Sequence, residues 1–290
     1  MTIHKLTDCT EILKFIENAD YTKTSYLYKL PQEHHHIQQM IERAIHSPGV
    51  FAIIDDNNIK ALVLAFTYEE NKFKVIGPII SHGYHLTIEE QDDLLNAMFH
   101  AQPDDANFNF SYDATSQVFA KEMKHLKASY HFTDYYLEAY PEIRSIEPTS
   151  YQTITEYHKA YFRAFKKLHE KAFKRNEMSA SQIVDSLDEN NRLFIFVSEG
   201  LLKGYIYIQT HPRRGIAEIK YFTSHSDYRF KGIAFDLLKF VLNFAFDHYE
   251  LKKIYFKIRS KNSRLVQRFN ELGFHVNNEY KKFKYVAKHT

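Results

Sequence analysis

Arg229, Gly232 and Ala234 stand in a run, Arg-Phe-Lys-Gly-Ile-Ala, whose residue types suit the binding of a pyrophosphate. The run follows a stretch of strand character at residues 216–223 and leads into a helical pattern at 235–247. Gly232 and Ala234 let the main chain come close to an anion. The first N–H groups of the helix then point at it, and the macrodipole favours its charge. The first helical turn offers no obvious Ser, Thr or Asn cap, so a phosphate can take that place. Arg229 and Lys231 would neutralise phosphate charge, while Phe230, Gly232, Ile233 and Ala234 supply N–H groups. A basic turn with one glycine is also common on surfaces, so the run takes its meaning from its flanks.

Glu218 lies on the preceding strand, fourteen positions before Gly232. Strand alternation predicts Glu218, Lys220 and Phe222 on one face. On residue type alone Glu218 reads as a solvated partner of Lys220. A neighbouring cation favours the carboxylate form and weakens it as a proton acceptor. Asn262 opens another helical pattern, where capping is its simplest role. His34, His35 and His36 are consecutive, and consecutive helical side chains diverge, so no metal site is expected there. His225, after the strand, reads as a surface histidine. No Walker or dinucleotide loop is present, and no G-x-S-x-G elbow.

The elements that must position these groups repeat in two halves. The second half reads as helices at 155–173 and 179–188, a hairpin of strands at 193–198 and 204–209, a strand at 216–223 and a helix at 235–247. A strand at 253–258, a helix at 262–272 and a last hairpin at 276–286 complete it. The first half offers helices at 8–18 and 32–45, a hairpin at 51–67, a strand at 73–80 and a helix at 88–101. A strand at 107–112, a helix at 114–126 and a strand at 132–139 follow, and 141–150 reads as a linker.

The chain's 290 residues, 44% of them hydrophobic and 26% charged, suit two soluble globular domains. A formal net charge of +2 gives no basic field for nucleic acid. The single cysteine, Cys9, excludes an intrachain disulfide and a cysteine metal site, and a reducing cytoplasm is the simplest setting. The opening residues lack the apolar core of a signal peptide, and no apolar run approaches the ~20 residues of a membrane span. Oligomeric state is open.

In this order and spacing the second half resembles the GNAT N-acetyltransferase superfamily. Three signatures coincide over roughly residues 155–286: the loop from Arg229 to Ala234, Ala217-Glu218-Ile219 on the strand before it, and Asn262 followed seven residues later by Phe269 and then by Gly273-Phe274. The resemblance implies an α/β fold, of the mixed-sheet α+β kind. Two tandem GNAT-like domains, at 1–145 and 151–290, would each hold a mostly antiparallel twisted sheet flanked by helices. It also implies acetyl-CoA as co-substrate, a primary amine as acceptor, no metal, and Glu218 as general base. The strand would splay at its end, with main-chain groups of Phe222, Thr223 and Ser224 holding the pantetheine arm and the thioester oxygen. Asn262 and Phe269 would join the cofactor site. The family often has a tyrosine where Phe269 stands, to protonate the departing thiolate, and phenylalanine has no such proton. Ser81-His-Gly-Tyr-His-Leu-Thr occupies the loop position in the first half without the basic glycine pattern, so that half is expected to hold no cofactor.

The implied function is acetyl-CoA-dependent N-acetyltransfer to an amine of a small molecule or protein. The alternative is a non-catalytic acyl-CoA-binding or protein-interaction module. Other tandem chains of this kind transfer amino acids or larger acyl groups, which would need a groove across both domains.

Overall fold

The structure, a computed structural model, describes residues 1–290 apart from 32, 116, 146–150, 174–177, 229–231 and 288–290. The first half runs β1 (Thr2–Leu6), α1 (Cys9–Glu17), β2 (Ala19–Asp20), α2 (His34–His46), β3 (Val50–Asp55), β4 (Asn58–Glu69), β5 (Lys72–Ser81), α3 (Ile88–His100), β6 (Asn107–Asp113), α4 (Gln117–His125) and β7 (Ser129–Ala139). The second runs β8 (Ile154–Glu156), α5 (Phe162–Ala172), α6 (Ala180–Asp185), β9 (Asn191–Ser198), β10 (Leu201–His211), β11 (Ile216–Ser224), α7 (Ile233–His248), β12 (Lys253–Arg259), α8 (Ser263–Glu271) and β13 (His275–Val286). From β3 and from β9 onward the two halves share one order: three strands, a helix, a strand, a helix and a strand.

Tight turns set the first hairpin of each half. Asp56 and Asn57 have φ of 48° and 58°, and Glu199 and Gly200 have 54° and 71°. Two successive left-handed residues give the turn whose twist matches the flanking strands.

The compact units do not follow the linear division expected at residues 145 and 151. One comprises Met1–Asp134 with Glu279–Thr290, the other Tyr135–Asn278. The cause is β13, which is one continuous strand rather than the expected hairpin. From Tyr280 to Val286 it pairs antiparallel with β6 and completes the sheet of the first unit. The expected linker is also displaced. Ile143 is buried against Gly273 within the second unit, while 146–150 lie outside the described residues. The expected helix at 155–173 begins late, because Ile154–Glu156 adds an edge strand to β9 and His158 Nδ1 accepts from Ala160 N–H to start the helical turn.

Strand order is β1-β3-β4-β5-β6-β13-β7 in the first unit and β7-β12-β11-β10-β9-β8 in the second. Each sheet buries both faces. In the second unit, Leu237, Leu238, Val241 and Leu242 of α7 cover Ile206, Ile208, Ala217 and Ile219. Phe165, Leu168 and Ile183 of α5 and α6 cover Tyr205 and Tyr207 on the other side.

His169 of α5 is wholly buried in that second core. Its Nε2 lies 3.1 Å from the Met178 carbonyl, which only accepts, so Nδ1 accepts from the Tyr205 hydroxyl at 2.5 Å. Burial holds the imidazole below the ordinary value of 6.5. Below that pH the unfolded chain binds a proton that the native state refuses, so stability falls as pH falls through 6.5. The loss in Tm between pH 7 and pH 5 should therefore be smaller in His169→Gln than in the unaltered protein. Equal losses would dismiss His169 as the titrating group. Among the described residues, no helix is long and apolar enough to cross a membrane.

Candidate functional site

Two irregularities in the second sheet open a cleft. In the antiparallel β10–β11 pair, Tyr207 stands opposite Tyr221 and Ile208 opposite Ile219, so Lys220 is an extra residue in β11. A bulge of this kind bends its strand and increases its twist. β11 and β12 run parallel but pair only from Ile216 opposite Lys253 to Ile219 opposite Phe256. Beyond that point they diverge around a cavity of about 480 Å³, with residues 220–224 on one wall, 256–259 on the other, and Ala234 and Asn262 at its helical end. The β11 edge left unpaired by β12 presents main-chain groups to this cavity.

The bulge also changes which side chains share a face. Ala217, Ile219 and Phe222 pack with α7, whereas Tyr221 packs with α5. Glu218 therefore faces away from Phe222, contrary to simple alternation. Its carboxylate accepts from Tyr255 Oη at 2.8 Å and lies 2.7 Å from Lys220 Nζ. Burial, then the charge of Glu218, pushes the Tyr255 hydroxyl well above its ordinary value. Glu218 is not among the cavity-lining residues, but Lys220, which it touches, is.

Gly232, with φ of +77°, is the N-cap residue of α7, and among the described residues no side chain caps the helix. A Cβ at Gly232 would meet nothing within 4 Å, so the backbone angle and not crowding calls for glycine. Ala234 lines the cavity, while the Ile233 side chain is buried. Ile233 sits so close over β10 that a Cβ at Gly204 would stand 2.9 Å from its Cγ2. Ile233 can thus offer the cavity only main-chain groups. Arg229, Phe230 and Lys231 lie outside the described residues.

Phe222, Thr223 and Ser224 line the cavity. Asn262 does not cap α8 with its side chain. Its main chain accepts from Leu265 and Val266 N–H, and the residue lines the cavity instead. Phe269 is wholly buried and does not reach the cavity; it stacks on Phe256 at 4.8 Å and meets Phe222 edge-on at 5.6 Å, behind the wall. Residue-type reasoning missed Tyr221, Lys257 and Arg259, which also line the cavity. Their place at the carboxyl ends of two parallel strands was the available signal. His225 stays near the surface, 3.4 Å from Asp227.

The corresponding gap in the first unit is filled. β5 and β6 run parallel from Lys72 opposite Asn107 to Lys74 opposite Asn109 and then part. The chain's own residues 24–26 enter there. Ser25 N–H donates to the Gly77 carbonyl at 3.0 Å, Tyr26 N–H to the Ser111 carbonyl at 2.9 Å, and Ser111 N–H to Ser25 Oγ at 3.0 Å. Thr24, Ser25 and Tyr26 are all buried. The following helix, α3, is capped by Thr87 and Glu90 in a reciprocal box, so its N-terminus is already satisfied. Among the described residues, the gap between β5 and β6 is thus filled and the start of α3 is capped.

The histidine run departs from expectation in geometry. Ligand atoms of Glu33, His35 and His36 lie within 4.8 Å of one another, although all three residues are exposed. His36 Nδ1 is 3.2 Å from Glu33, and His35 Nε2 is 3.2 Å from Gln39.

Residues 150–274 match the Acetyltransferase (GNAT) family. No curated protein gives a significant sequence match. Among solved structures, the tandem GNAT protein from the clavulanic acid biosynthesis pathway superposes with a TM-score of 0.67 at 11% identity, over 100% of this chain and 99% of that one. The GCN5-related N-acetyltransferase from Sphaerobacter thermophilus gives 0.64 at 14% identity, over 99% and 96%. The GNAT-family acetyltransferase from Colwellia psychrerythraea gives 0.62 at 12% identity, over 98% and 100%. At these identities the likeness is one of fold: a mixed-sheet, tandem GNAT architecture.

Proposed function

We propose that the GNAT domain at residues 150–274 transfers an acyl group, acetyl first among them, from acyl-CoA to a primary amine. The observation that carries this reading is the cleft itself. It joins an unpaired strand edge, an uncapped helix N-terminus after Gly232, and the side of Asn262 that leaves α8 uncapped. Bound acyl-CoA would supply an activated acyl group. The main chain of Thr223 and Ser224 would hold its arm and polarise the acyl oxygen, which strengthens most in the tetrahedral transition state. Gly232, Ile233 and Ala234 N–H groups would take the pyrophosphate, with Arg229 and Lys231 supplying charge. Glu218, near the bulge, would receive the amine proton directly or through water.

The filled gap in the first unit supports one cofactor per chain. Calorimetry with acetyl-CoA should give one site, and Arg229→Glu should weaken it at least tenfold, about 1.4 kcal/mol. Two sites, or unchanged affinity in the variant, would overturn the assignment of the loop. A second reading, a non-catalytic acyl-CoA-binding module, draws support from Phe269, which puts a ring without a hydroxyl in a sealed position. It expects binding with no turnover on any amine.

A further inference from the structure

Where β11 and β12 cease to pair, the next residue on each strand is a lysine. Ile219 stands opposite Phe256, so Lys220 and Lys257 come next on the two walls, and both line the cleft. On β12, Ile254, Phe256 and Ile258 belong to the core under α7, so alternation turns Tyr255, Lys257 and Arg259 to the other face. That is the face of Glu218, which accepts from Tyr255 Oη at 2.8 Å and lies 2.7 Å from Lys220 Nζ. The carboxylate placed to take the amine proton thus shares its face with cations. Among the described residues that line the cleft, Lys220, Lys257 and Arg259 are cationic and none is acidic.

A cleft lined by one sign of charge concentrates ligands of the other. A polyamine would bring further positive charge to this face. An amine that also carries a carboxylate or phosphate would set its ammonium at Glu218 and its anion at the lysines, so that each charge meets its opposite. The pyrophosphate of the cofactor does not account for the two lysines. Its place is at the helical end, with Ala234 and Asn262, whereas Lys220 and Lys257 stand where the strands part. We propose that the acceptor is an anionic amine, a primary amine bearing a carboxylate or phosphate, and that Lys257 is the residue that selects it. This rests on the transferase reading of the cleft. In that transfer the nitrogen–acyl bond forms as the carbon–sulfur bond breaks, one ammonium proton passing to Glu218 and a second to the departing thiolate.

The test has two arms, both on the full chain. In turnover with acetyl-CoA, L-α-amino acids and phosphoethanolamine are compared with the amino-acid amides and ethanolamine, which lack the anion, and with spermidine. At least one anionic amine should exceed its anion-free counterpart by about tenfold or more in kcat/KM, and its identity separates carboxylate from phosphate. Lys257→Glu should raise the KM for that amine by about tenfold or more and leave acetyl-CoA affinity within about twofold, while Lys257→Arg keeps the low KM. Should Lys257→Glu fail to fold, Lys257→Ala carries the same comparison. A preference for spermidine or the amides overturns the proposal. So does an unchanged KM in Lys257→Glu, or a loss of acetyl-CoA affinity in its place, which would give Lys257 to the cofactor. The second arm is calorimetry of the same amines on protein saturated with CoA. Binding of an anionic amine that Lys257→Glu abolishes, without turnover of any amine, would uphold the selection by charge while the transferase reading fails. Neither turnover nor binding of an anionic amine overturns the proposal.

Discussion

Phe269→Ala is expected to lose about 3–5 kcal/mol of folding stability, read by urea denaturation. The ring is wholly buried and touches three others: Phe256 in a near-parallel stack, with Phe222 and Phe274 edge-on. Removing it deletes apolar area and leaves a void that its neighbours fill only in part. Phe222 and Phe256 are also the cleft walls, so the void lies directly behind them. Acetyl-CoA affinity should fall along with stability. Phe269→Leu, which keeps most of the volume, should cost less on both counts. Phe269→Tyr tests the family comparison. The restored hydroxyl would be buried without a partner, at a cost of about 1–3 kcal/mol, and should bring no gain in kcat. A loss below about 1 kcal/mol in Phe269→Ala, or a rate gain in Phe269→Tyr, would show that the position reaches the cleft after all.

The same residue shows what the sequence could and could not disclose. The loop, the helix after it, Asn262 and the Gly-Phe pair are local patterns, and local patterns set turn, cap and helix start. Of these, the helix after the loop lies close to the expected 235–247, at Ile233–His248. What was not legible depends on pairing between distant segments. The bulge at Lys220 exists only relative to β10, and it reverses the facing of Phe222 against Glu218. Nothing in Lys23-Thr24-Ser25-Tyr26 marks it as the filling of a gap between β5 and β6, because its partners Gly77 and Ser111 are remote in the chain. The sequence reads as a hairpin at 276–286, whereas β13 is one strand whose residues 280–286 pair with the remote β6. Residue type alone makes Asn262 a cap, and the resemblance adds it to the cofactor site. Its carbonyl accepts from Leu265 and Val266 N–H, its side chain makes no cap bond, and the residue lines the cleft.

Glu218→Gln is expected to lower kcat by about 10²- to 10⁴-fold, the usual range for loss of a general base, with acetyl-CoA affinity unchanged. The split follows from placement. Glu218 contributes nothing to the cavity wall, but touches Lys220, which does. The side chain is 18% exposed, enough for an amine or a relaying water to reach it. Glutamine keeps the shape and can still accept from Tyr255 Oη, so the strand geometry should survive. What it lacks is a lone pair basic enough to take a proton from an amine of pKa ~10.4. The rival account makes Glu218 only the ionic partner of Lys220. A partly exposed pair of that kind contributes about 0–1 kcal/mol to stability and nothing to turnover. Full activity in Glu218→Gln with a small loss in Tm would therefore decide for the ion pair. Tyr255→Phe separates the two further. It removes the hydrogen bond that orients the carboxylate while leaving both charges, so a drop in kcat at constant KM would mark Tyr255 as a positioning residue for a working base.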